Sequence, residues 1–168
     1  MNYVINQYYN RYNPEELQYY LDEKMELIFD KVLTDNGYQS QIGFIKNLKK
    51  SDNLENAVKY LKNYYARPRP NEVAMNFGIK WKGDGHTMGT DDSYAYPSGH
   101  TAQAYYIAHG MAQEYPNLKN QIFNVAEMVA QSRIDRGVHF PSDCKAGKEL
   151  AYKLFINGSS KWKDYANI

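Results

Sequence analysis

The fold is decided around residues 132–143, which read SRIDRGVHFPSD. Apolar residues at helical spacing precede this stretch and place Arg133 on the inward face of a helix; they are Ile122, Ala126, Val129 and Ala130. A second stripe that includes Asp143 follows it, formed by Ala146, Gly147, Leu150, Ala151 and Leu154. A buried guanidinium and a buried carboxylate both need partners. The stretch is therefore a junction between two core helices that also carries a polar site.

Helical periodicity continues outward from this junction, and no convincing β-alternation interrupts it. Five helices are expected: from Pro14 to about residue 33, from Asp52 to Tyr65, from Ser98 to about Tyr115, from about Asn117 to Arg136, and from about Ser142 to Ile156. An irregular link should join the first two helices. Residues 71–96 contain four glycines and no sustained period, and they predict a long loop. We therefore expect an all-α fold, a single-domain helical bundle over residues 1–168 with its motif-bearing core at about 52–156.

The bulk composition excludes several classes of protein. With 20 Lys and Arg against 19 Asp and Glu, the formal charge of +1 gives no overall field for nucleic acid or for an anionic membrane. No apolar run approaches the roughly 18 residues of a membrane span, and residues 1–10 do not read as a signal peptide. A single Cys144 forms no intrachain disulfide. We expect a cytoplasmic chain without integral membrane association, or a periplasmic or secreted one if a leader has been removed; a homo-oligomer stays possible.

Three helix ends carry polar groups that one pocket could share. Lys62, Arg69 and Arg133 would supply three cations, which suits a phosphoryl dianion better than a carboxylate. Ser98 and Gly99, at the start of a helix, add a hydroxyl and accessible backbone N–H groups. The pocket is therefore expected to bind a tetrahedral oxyanion, and a small phosphorylated molecule is the expected partner.

Two histidines accompany these cations. Asp143 stands four residues after His139 and would orient its ring, leaving the other ring nitrogen as a nucleophile. His100 would protonate the leaving group and then activate water. These two histidines suffice for phosphoryl transfer without a metal or another cofactor. Taken singly, Lys62 could be a solvated lysine and His100 a core histidine, and Arg133 with Asp143 could form a structural ion pair; their joint spacing favours a site.

Other polar residues are weaker candidates. The carboxylates and histidine of the glycine-rich loop show no recognisable ligand spacing for a metal; they are Asp84, His86, Asp91 and Asp92. Arg67 and Arg136 are expected at the surface or behind the phosphate ligands, and His109 is expected to be structural.

The spacing of the three motifs resembles a known family. Lys62-x6-Arg69-Pro70, Pro97-Ser98-Gly99-His100 and Ser132-Arg133-x5-His139-x3-Asp143 are similar, at every motif position, to the motifs of the type 2 phosphatidic acid phosphatase superfamily, which includes the vanadium haloperoxidases. Residues 64–70 and 96–101 resemble the class A non-specific acid phosphatases in particular. Residues 1–50 are matched only loosely.

The resemblance implies roles by position. His139 would be the nucleophile that forms a phosphohistidine, Asp143 its partner and His100 the general acid. Five residues would hold the phosphate: Lys62, Arg69, Ser98, Gly99 and Arg133. The implied activity is that of a metal-independent acid phosphatase acting on phosphomonoesters, with vanadate as an inhibitor. A vanadate-dependent haloperoxidase and a non-catalytic phosphate-binding protein are the alternatives.

Overall fold

The computed structural model describes residues 14–80 and 93–158. These residues form eight α-helices and contain no β-strand. The helices are α1 (Pro14–Glu23), α2 (Met25–Asp35), α3 (Ile42–Lys49), α4 (Asp52–Tyr65), α5 (Pro70–Asn76), α6 (Gly99–Glu114), α7 (Lys119–Asp135) and α8 (Pro141–Asn157), with a short 3-10 turn at Pro116–Leu118 before α7. The expected all-α fold is confirmed.

Helix α6 lies at the centre of the bundle. It packs against α7 and α8 over much of its length, and it also contacts α3 and α4. The main core unites α1 and α2 with α6 and α7 through fully buried side chains such as Phe29, Ile107 and Ile122. A smaller core joins α4 to α6 and α8, and is formed by Leu54, Ala57, Leu61, Ala102, Leu150 and Leu154. The N-terminal ends of α6 and α8 and the C-terminal ends of α4 and α7 are thereby brought together, and these ends carry the three motifs.

The sequence predicted α4, α6, α7 and α8 to within one or two residues of their observed bounds. The predicted helix from Pro14 to about residue 33 is wrong, because the chain forms two helices that break at Lys24, where φ is −130° and ψ is 33°. Leu21 and Met25 stand four residues apart across the break, and both are buried in the same core. The apolar residues therefore keep their helical spacing across the break, so the spacing does not reveal it.

Two segments predicted to be irregular contain helices. Helix α3 lies in the expected link, and only Ile45 of its side chains is fully buried, so its apolar stripe is too short to recognise. Helix α5 lies in the expected loop 71–96 and begins with Pro70, whose fixed φ suits a first helical position. Its start is stabilised by Glu72, which accepts a hydrogen bond from the backbone N–H of Arg69 at 2.6 Å. The acidic and histidine residues weighed as a metal site, between Asp84 and Asp92, lie outside the described residues.

Within the described ranges, no helix combines the length and the apolar character needed to cross a membrane.

Candidate active site

The motif residues meet at one cavity of about 550 Å³. Six of the eight predicted site residues line it: Lys62, Arg69, Gly99, His100, Arg133 and His139. The remaining two, Ser98 and Asp143, are fully buried and do not line it. The cavity continues along α4, where Leu54 and Val58 form an apolar wall and Glu55 and Asn63 add polar groups. The cavity therefore joins the charged motif residues to a wall along α4, where Glu55 and Lys59 add charges of opposite sign.

His139 is held at the start of α8 by Asp143. The Nδ1 atom of His139 lies 3.4 Å from Oδ2 of Asp143, and the same oxygen accepts a hydrogen bond from the backbone N–H of Phe140 at 2.8 Å. Pro141 begins the helix, which places Asp143 in its first turn and four residues after His139. Burial would raise the pKa of Asp143, but the hydrogen bonds from His139 and Phe140 lower it below its usual value. Asp143 is therefore an ionised acceptor beside the ring.

The contacts of His139 define which nitrogen carries its proton. Nη1 of Arg69 lies 3.2 Å from Nε2 of His139, and a guanidinium can only donate hydrogen bonds. Nε2 is therefore the acceptor, and Nδ1 carries the hydrogen that faces Asp143. Burial, together with the charges of Arg69 and Lys62, lowers the pKa of His139 to about 3 despite the hydrogen bond to Asp143. The ring is neutral at ordinary pH, with an electron pair on Nε2.

Backbone carbonyl groups position two of the predicted cations. Arg69 donates from Nε to the carbonyl oxygen of Ser93 at 2.8 Å and from Nη1 to that of Val138 at 2.9 Å. Lys62 donates from Nζ to the carbonyl oxygen of Tyr94. Both side chains are buried, with exposed fractions of 5% for Arg69 and 9% for Lys62. Both cations therefore line the cavity in positions that backbone carbonyl groups help to fix.

The corner at Ser98 and Gly99 is locked to α8. The backbone N–H of Ser98 donates to the carbonyl oxygen of Asp143 at 3.0 Å, and the Ser98 hydroxyl accepts from Thr101. The peptide bond before Pro97 is cis. Gly147 of α8 approaches so closely that a Cβ atom there would lie 2.6 Å from the carbonyl oxygen of Ser98. Gly99, rather than Ser98, therefore forms the cavity wall at the start of α6.

A carboxylate that the sequence reasoning missed completes the site. Asp22 of α1 is 4% exposed and binds two arginines: Oδ1 accepts from Nη1 of Arg133 at 2.6 Å, and Oδ2 accepts from Nη1 of Arg136 at 2.8 Å. Oδ1 also lies 2.7 Å from Nε2 of His100. Burial opposes ionisation, but the hydrogen bond from His100 and the two arginine charges hold the pKa of Asp22 well below its usual value. The requirement that a buried Arg133 have an anionic partner was the available signal, although it did not say which carboxylate.

The two arginines expected at the surface or behind the phosphate ligands differ from each other. Arg136 is buried, with an exposed fraction of 3%, and lies behind the site through its bond to Asp22. Arg67 is partly exposed and binds Oδ1 of Asp143 at 2.7 Å. Neither lines the cavity. His109, expected to be structural, packs among aromatic rings such as Phe123 and Phe155, away from the cavity.

His100 differs from His139 in both its exposure and its partner. Its side chain is 19% exposed and lines the cavity, while Nε2 faces Asp22. Burial lowers the pKa of His100, and the hydrogen bond to Asp22 opposes that effect. Each histidine of the cavity is thus paired with a buried carboxylate, His139 with Asp143 through Nδ1 and His100 with Asp22 through Nε2.

Known proteins resemble this chain in sequence. A sequence model of the family described as the PAP2 superfamily matches residues 53–163, which is more than half of the chain. Two proteins named non-specific acid phosphatase are similar over 92 residues: that of Salmonella typhi is 36% identical and that of Salmonella typhimurium (strain LT2) is 33% identical. Each alignment covers 55% of this chain and 36% of the relative, so the chain spans about a third of the length of the curated relatives it matches.

Among solved structures, one similar chain is the first transmembrane PAP2 type phosphatidylglycerolphosphate phosphatase from Bacillus subtilis. It is 21% identical, with a TM-score of 0.48, and the match covers 85% of this chain and 67% of that one. The range matched by the family model contains all eight predicted site residues and leaves Asp22 outside it.

Proposed function

This chain belongs to the PAP2 superfamily, and from that premise we propose that it is a metal-independent phosphatase that hydrolyses phosphomonoesters through a phosphohistidine intermediate. The observation that carries the proposal is the Nε2 atom of His139, which is an acceptor in a cavity that Lys62, Arg69 and Arg133 also line. A lone pair beside three cations suits attack on a dianionic phosphoryl group. The likeness to two non-specific acid phosphatases over 92 residues is in keeping with it.

In the first step, Nε2 of His139 attacks phosphorus while the bond from phosphorus to the leaving oxygen breaks. His100 gives a proton to that oxygen, and the alcohol leaves. Lys62, Arg69, Arg133 and the backbone N–H groups at the start of α6 hold the equatorial oxygens, on which charge is spread. Asp143 stays ionised and stabilises the positive charge that the His139 ring gains.

In the second step, water attacks the phosphohistidine. His100, now neutral, takes a proton from the water as the bond between phosphorus and Nε2 breaks. Inorganic phosphate leaves, and both histidines return to their starting states. The part of the cavity along α4 would accept the leaving group, and its apolar wall at Leu54 and Val58 fits a ligand with a nonpolar surface.

The test is an assay of the purified chain on p-nitrophenyl phosphate and an alkyl phosphate in the presence of a chelator, with His139→Ala beside it. We expect turnover that survives the chelator, is inhibited by vanadate, and is lost in the variant. The matched control is His109→Ala, because His109 packs among aromatic rings and does not line the cavity. A labelled phosphoenzyme, quenched in alkali where phosphohistidine is stable, should form in the native chain and in His109→Ala but not in His139→Ala.

Three results would contradict the proposal. Activity that requires an added metal would exclude the metal-independent reaction. Phosphate binding without turnover of any phosphomonoester would indicate a non-catalytic binding protein. Bromide oxidation by peroxide after vanadate loading, without hydrolysis, would indicate a haloperoxidase.

A further inference from the structure

Asp22 lies outside the three motifs, but its side chain contacts residues of the site. This residue lies in α1, before the range 53–163 that the family model matches. Its carboxylate nevertheless contacts His100, Arg133 and Arg136 at 2.6 to 2.8 Å. Two of these three partners, His100 and Arg133, line the cavity. A residue from outside the motif-bearing core is thus in direct contact with two groups of the site.

The charges around His100 explain why a carboxylate is needed there. Arg133 carries a permanent positive charge beside His100, and this charge disfavours a second proton on the ring. Arg136 adds a further permanent charge on the other side of Asp22. Without Asp22, no charge of this carboxylate would oppose that of Arg133, and His100 would lose its proton more readily.

The two carboxylate oxygens of Asp22 have different partners. Oδ2 of Asp22 binds Arg136, which does not line the cavity, while Oδ1 is shared by Arg133 and His100. Arg136 therefore anchors the carboxylate from behind. The carboxylate is held in one orientation, and Oδ1 is directed at the two groups that line the cavity.

The ring of His100 has its nitrogens arranged in the opposite sense to those of His139. Nε2 of His100 lies 2.7 Å from Oδ1 of Asp22 and 3.1 Å from the main-chain oxygen of the same residue. Both neighbours are acceptors, so Nε2 carries a hydrogen in every protonation state of the ring. Nδ1 is then the nitrogen that gains and loses the exchangeable proton. In His139, by contrast, Nδ1 faces the carboxylate and Nε2 is the reactive atom.

From this geometry we propose that Asp22 is a positioning residue that orients His100 so that Nδ1 delivers the proton to the leaving oxygen. The proposal rests on the proposed phosphatase function. As the bond between phosphorus and the leaving oxygen breaks, the proton on Nδ1 passes to that oxygen and His100 becomes neutral, while Asp22 remains ionised. In the second step Nδ1 takes a proton from the attacking water, and the starting state is restored.

The test compares Asp22→Asn with the native chain on two substrates that differ in leaving group. Nitrophenolate leaves without much help from an acid, whereas an alkoxide requires a proton. We expect kcat/KM for an alkyl phosphate to fall by about 100-fold in the variant, since general acid catalysis contributes on that order. For p-nitrophenyl phosphate the fall should be less than about 5-fold, because the acid contributes little there. We compare kcat/KM because this constant reports the first step, in which the leaving group departs.

The matched control is Glu26→Gln. Glu26 is a buried carboxylate of the neighbouring helix α2 that pairs with Lys49 at 2.7 Å and does not line the cavity. This variant should show the same substrate ratio as the native chain. Equal losses on both substrates in Asp22→Asn would mean that Asp22 only supports the fold or the phosphate site, and would overturn the proposal. A native chain without activity on any phosphomonoester would overturn the phosphatase function itself, which is a different result.

A second measurement needs no folded variant of Asp22. In ¹⁵N-histidine spectra of the native chain, assigned by comparison with His100→Gln, neutral His100 should show its hydrogen on Nε2. Neutral His139, assigned with His139→Gln, should show its hydrogen on Nδ1. A neutral His100 with its hydrogen on Nδ1 would contradict the contact with Asp22 and overturn the proposal.

Discussion

Arg67 binds the carboxylate oxygen of Asp143 that faces away from His139. Nη1 of Arg67 lies 2.7 Å from Oδ1 of Asp143, while Oδ2 serves His139 and the backbone N–H of Phe140. The guanidinium also lies over the ring of Phe140, 4.4 Å from its centroid. Both carboxylate oxygens are therefore occupied, and Asp143 cannot rotate away from the histidine without breaking a charged hydrogen bond.

Replacing Arg67 with methionine should weaken that arrangement. The Arg67→Met variant leaves Oδ1 of a buried carboxylate without its charged donor, so we expect the free energy of unfolding to fall by about 1 to 3 kcal/mol. The less constrained carboxylate should also lower kcat by roughly 10-fold, since residues that orient a functional group through a hydrogen bond typically change activity by about this factor. Urea unfolding and steady-state kinetics measure the two effects.

A suitable control is Lys31→Met. Lys31 forms an exposed pair with Asp35 at 2.8 Å, four residues along the same helix. Such pairs contribute about 0.5 kcal/mol or less, and this variant should leave kcat unchanged. An Arg67→Met variant that matched Lys31→Met in both measurements would show that Arg67 does not constrain Asp143.

Gly147 allows α8 to approach the start of α6. An alanine Cβ there would lie 2.6 Å from the carbonyl oxygen of Ser98 and 3.1 Å from the backbone nitrogen of Ala102. Because backbone atoms cannot move aside as a flexible side chain can, Gly147→Ala should lower the free energy of unfolding by about 1 to 3 kcal/mol. The displaced Ser98–Gly99 corner should also raise KM.

Gly43→Ala is the matched glycine variant. Gly43 lies in α3, and a Cβ there would meet nothing within 4 Å. Alanine is the better helix former, so this variant should be more stable by about 0.5 to 1 kcal/mol and should keep its KM. Thermal unfolding of both variants decides the point, and a stabilised Gly147→Ala chain would refute the close approach.

The buried His139 should make stability depend on pH. Its pKa is about 3 in the folded chain and about 6.5 when unfolded. Below pH 6.5 the unfolded chain binds a proton that the folded chain does not, so the free energy of unfolding falls as the pH falls, by up to about 1.4 kcal/mol per pH unit for this group. The lowered pKa of His100 acts in the same direction. The carboxylates Asp22 and Asp143, with lowered pKa values, lose their contribution only below about pH 4.

Urea unfolding between pH 4.5 and 7.5 isolates the histidines from the carboxylates. In His139→Asn the slope of the free energy of unfolding against pH should be smaller over this window, by an amount that corresponds to about one bound proton. An unchanged slope would mean that His139 titrates normally in the folded chain. The conclusion that His139 is a neutral nucleophile would then be wrong.

Replacing Arg69 with lysine tests whether the site needs a planar guanidinium at this position. Its Nε and Nη1 atoms bind two different carbonyl groups, of Ser93 and Val138, while Nη1 also faces Nε2 of His139. A lysine ammonium cannot reproduce that fork, although it keeps the charge. We expect Arg69→Lys to lower kcat/KM by about 100-fold, near the cost of losing one donor to the transition state. Steady-state kinetics with phosphate as a competitive inhibitor measures it, and a loss below 3-fold would show that charge alone suffices.

The sequence predicted the part of the site that depends on local spacing. His139 and Asp143 stand four residues apart at the start of a helix, and Ser98 and Gly99 begin another, so their mutual positions follow from helix geometry. Arg133 was expected to be buried because of its place on an apolar stripe, and it is 1% exposed. These features need no knowledge of the tertiary structure.

What the sequence could not predict depends on contacts between distant segments or on short helices. The pairing of Asp22 with Arg133 joins positions 111 residues apart, and no periodicity relates them. Helix α5 has only seven residues, too few to show a period, and it begins where Pro70 and Glu72 stabilise a helix start. The break at Lys24 keeps the apolar spacing of one continuous helix. Tertiary packing therefore decides the pairing of Asp22, whereas α5 starts on local signals in a helix too short to show a period.

The contact of Asp22 with His100 also bears on the order of events when the chain folds. The two residues are 78 positions apart, and the bonds of Asp22 to Arg133 and Arg136 span 111 and 114 positions. Contacts of such separation require a long loop to close, and its entropic cost comes before any gain. Helix content should therefore return before catalysis when the denatured chain is diluted into buffer. Recovery of turnover should then report the docking of α1, which brings Asp22 to His100 and Arg133.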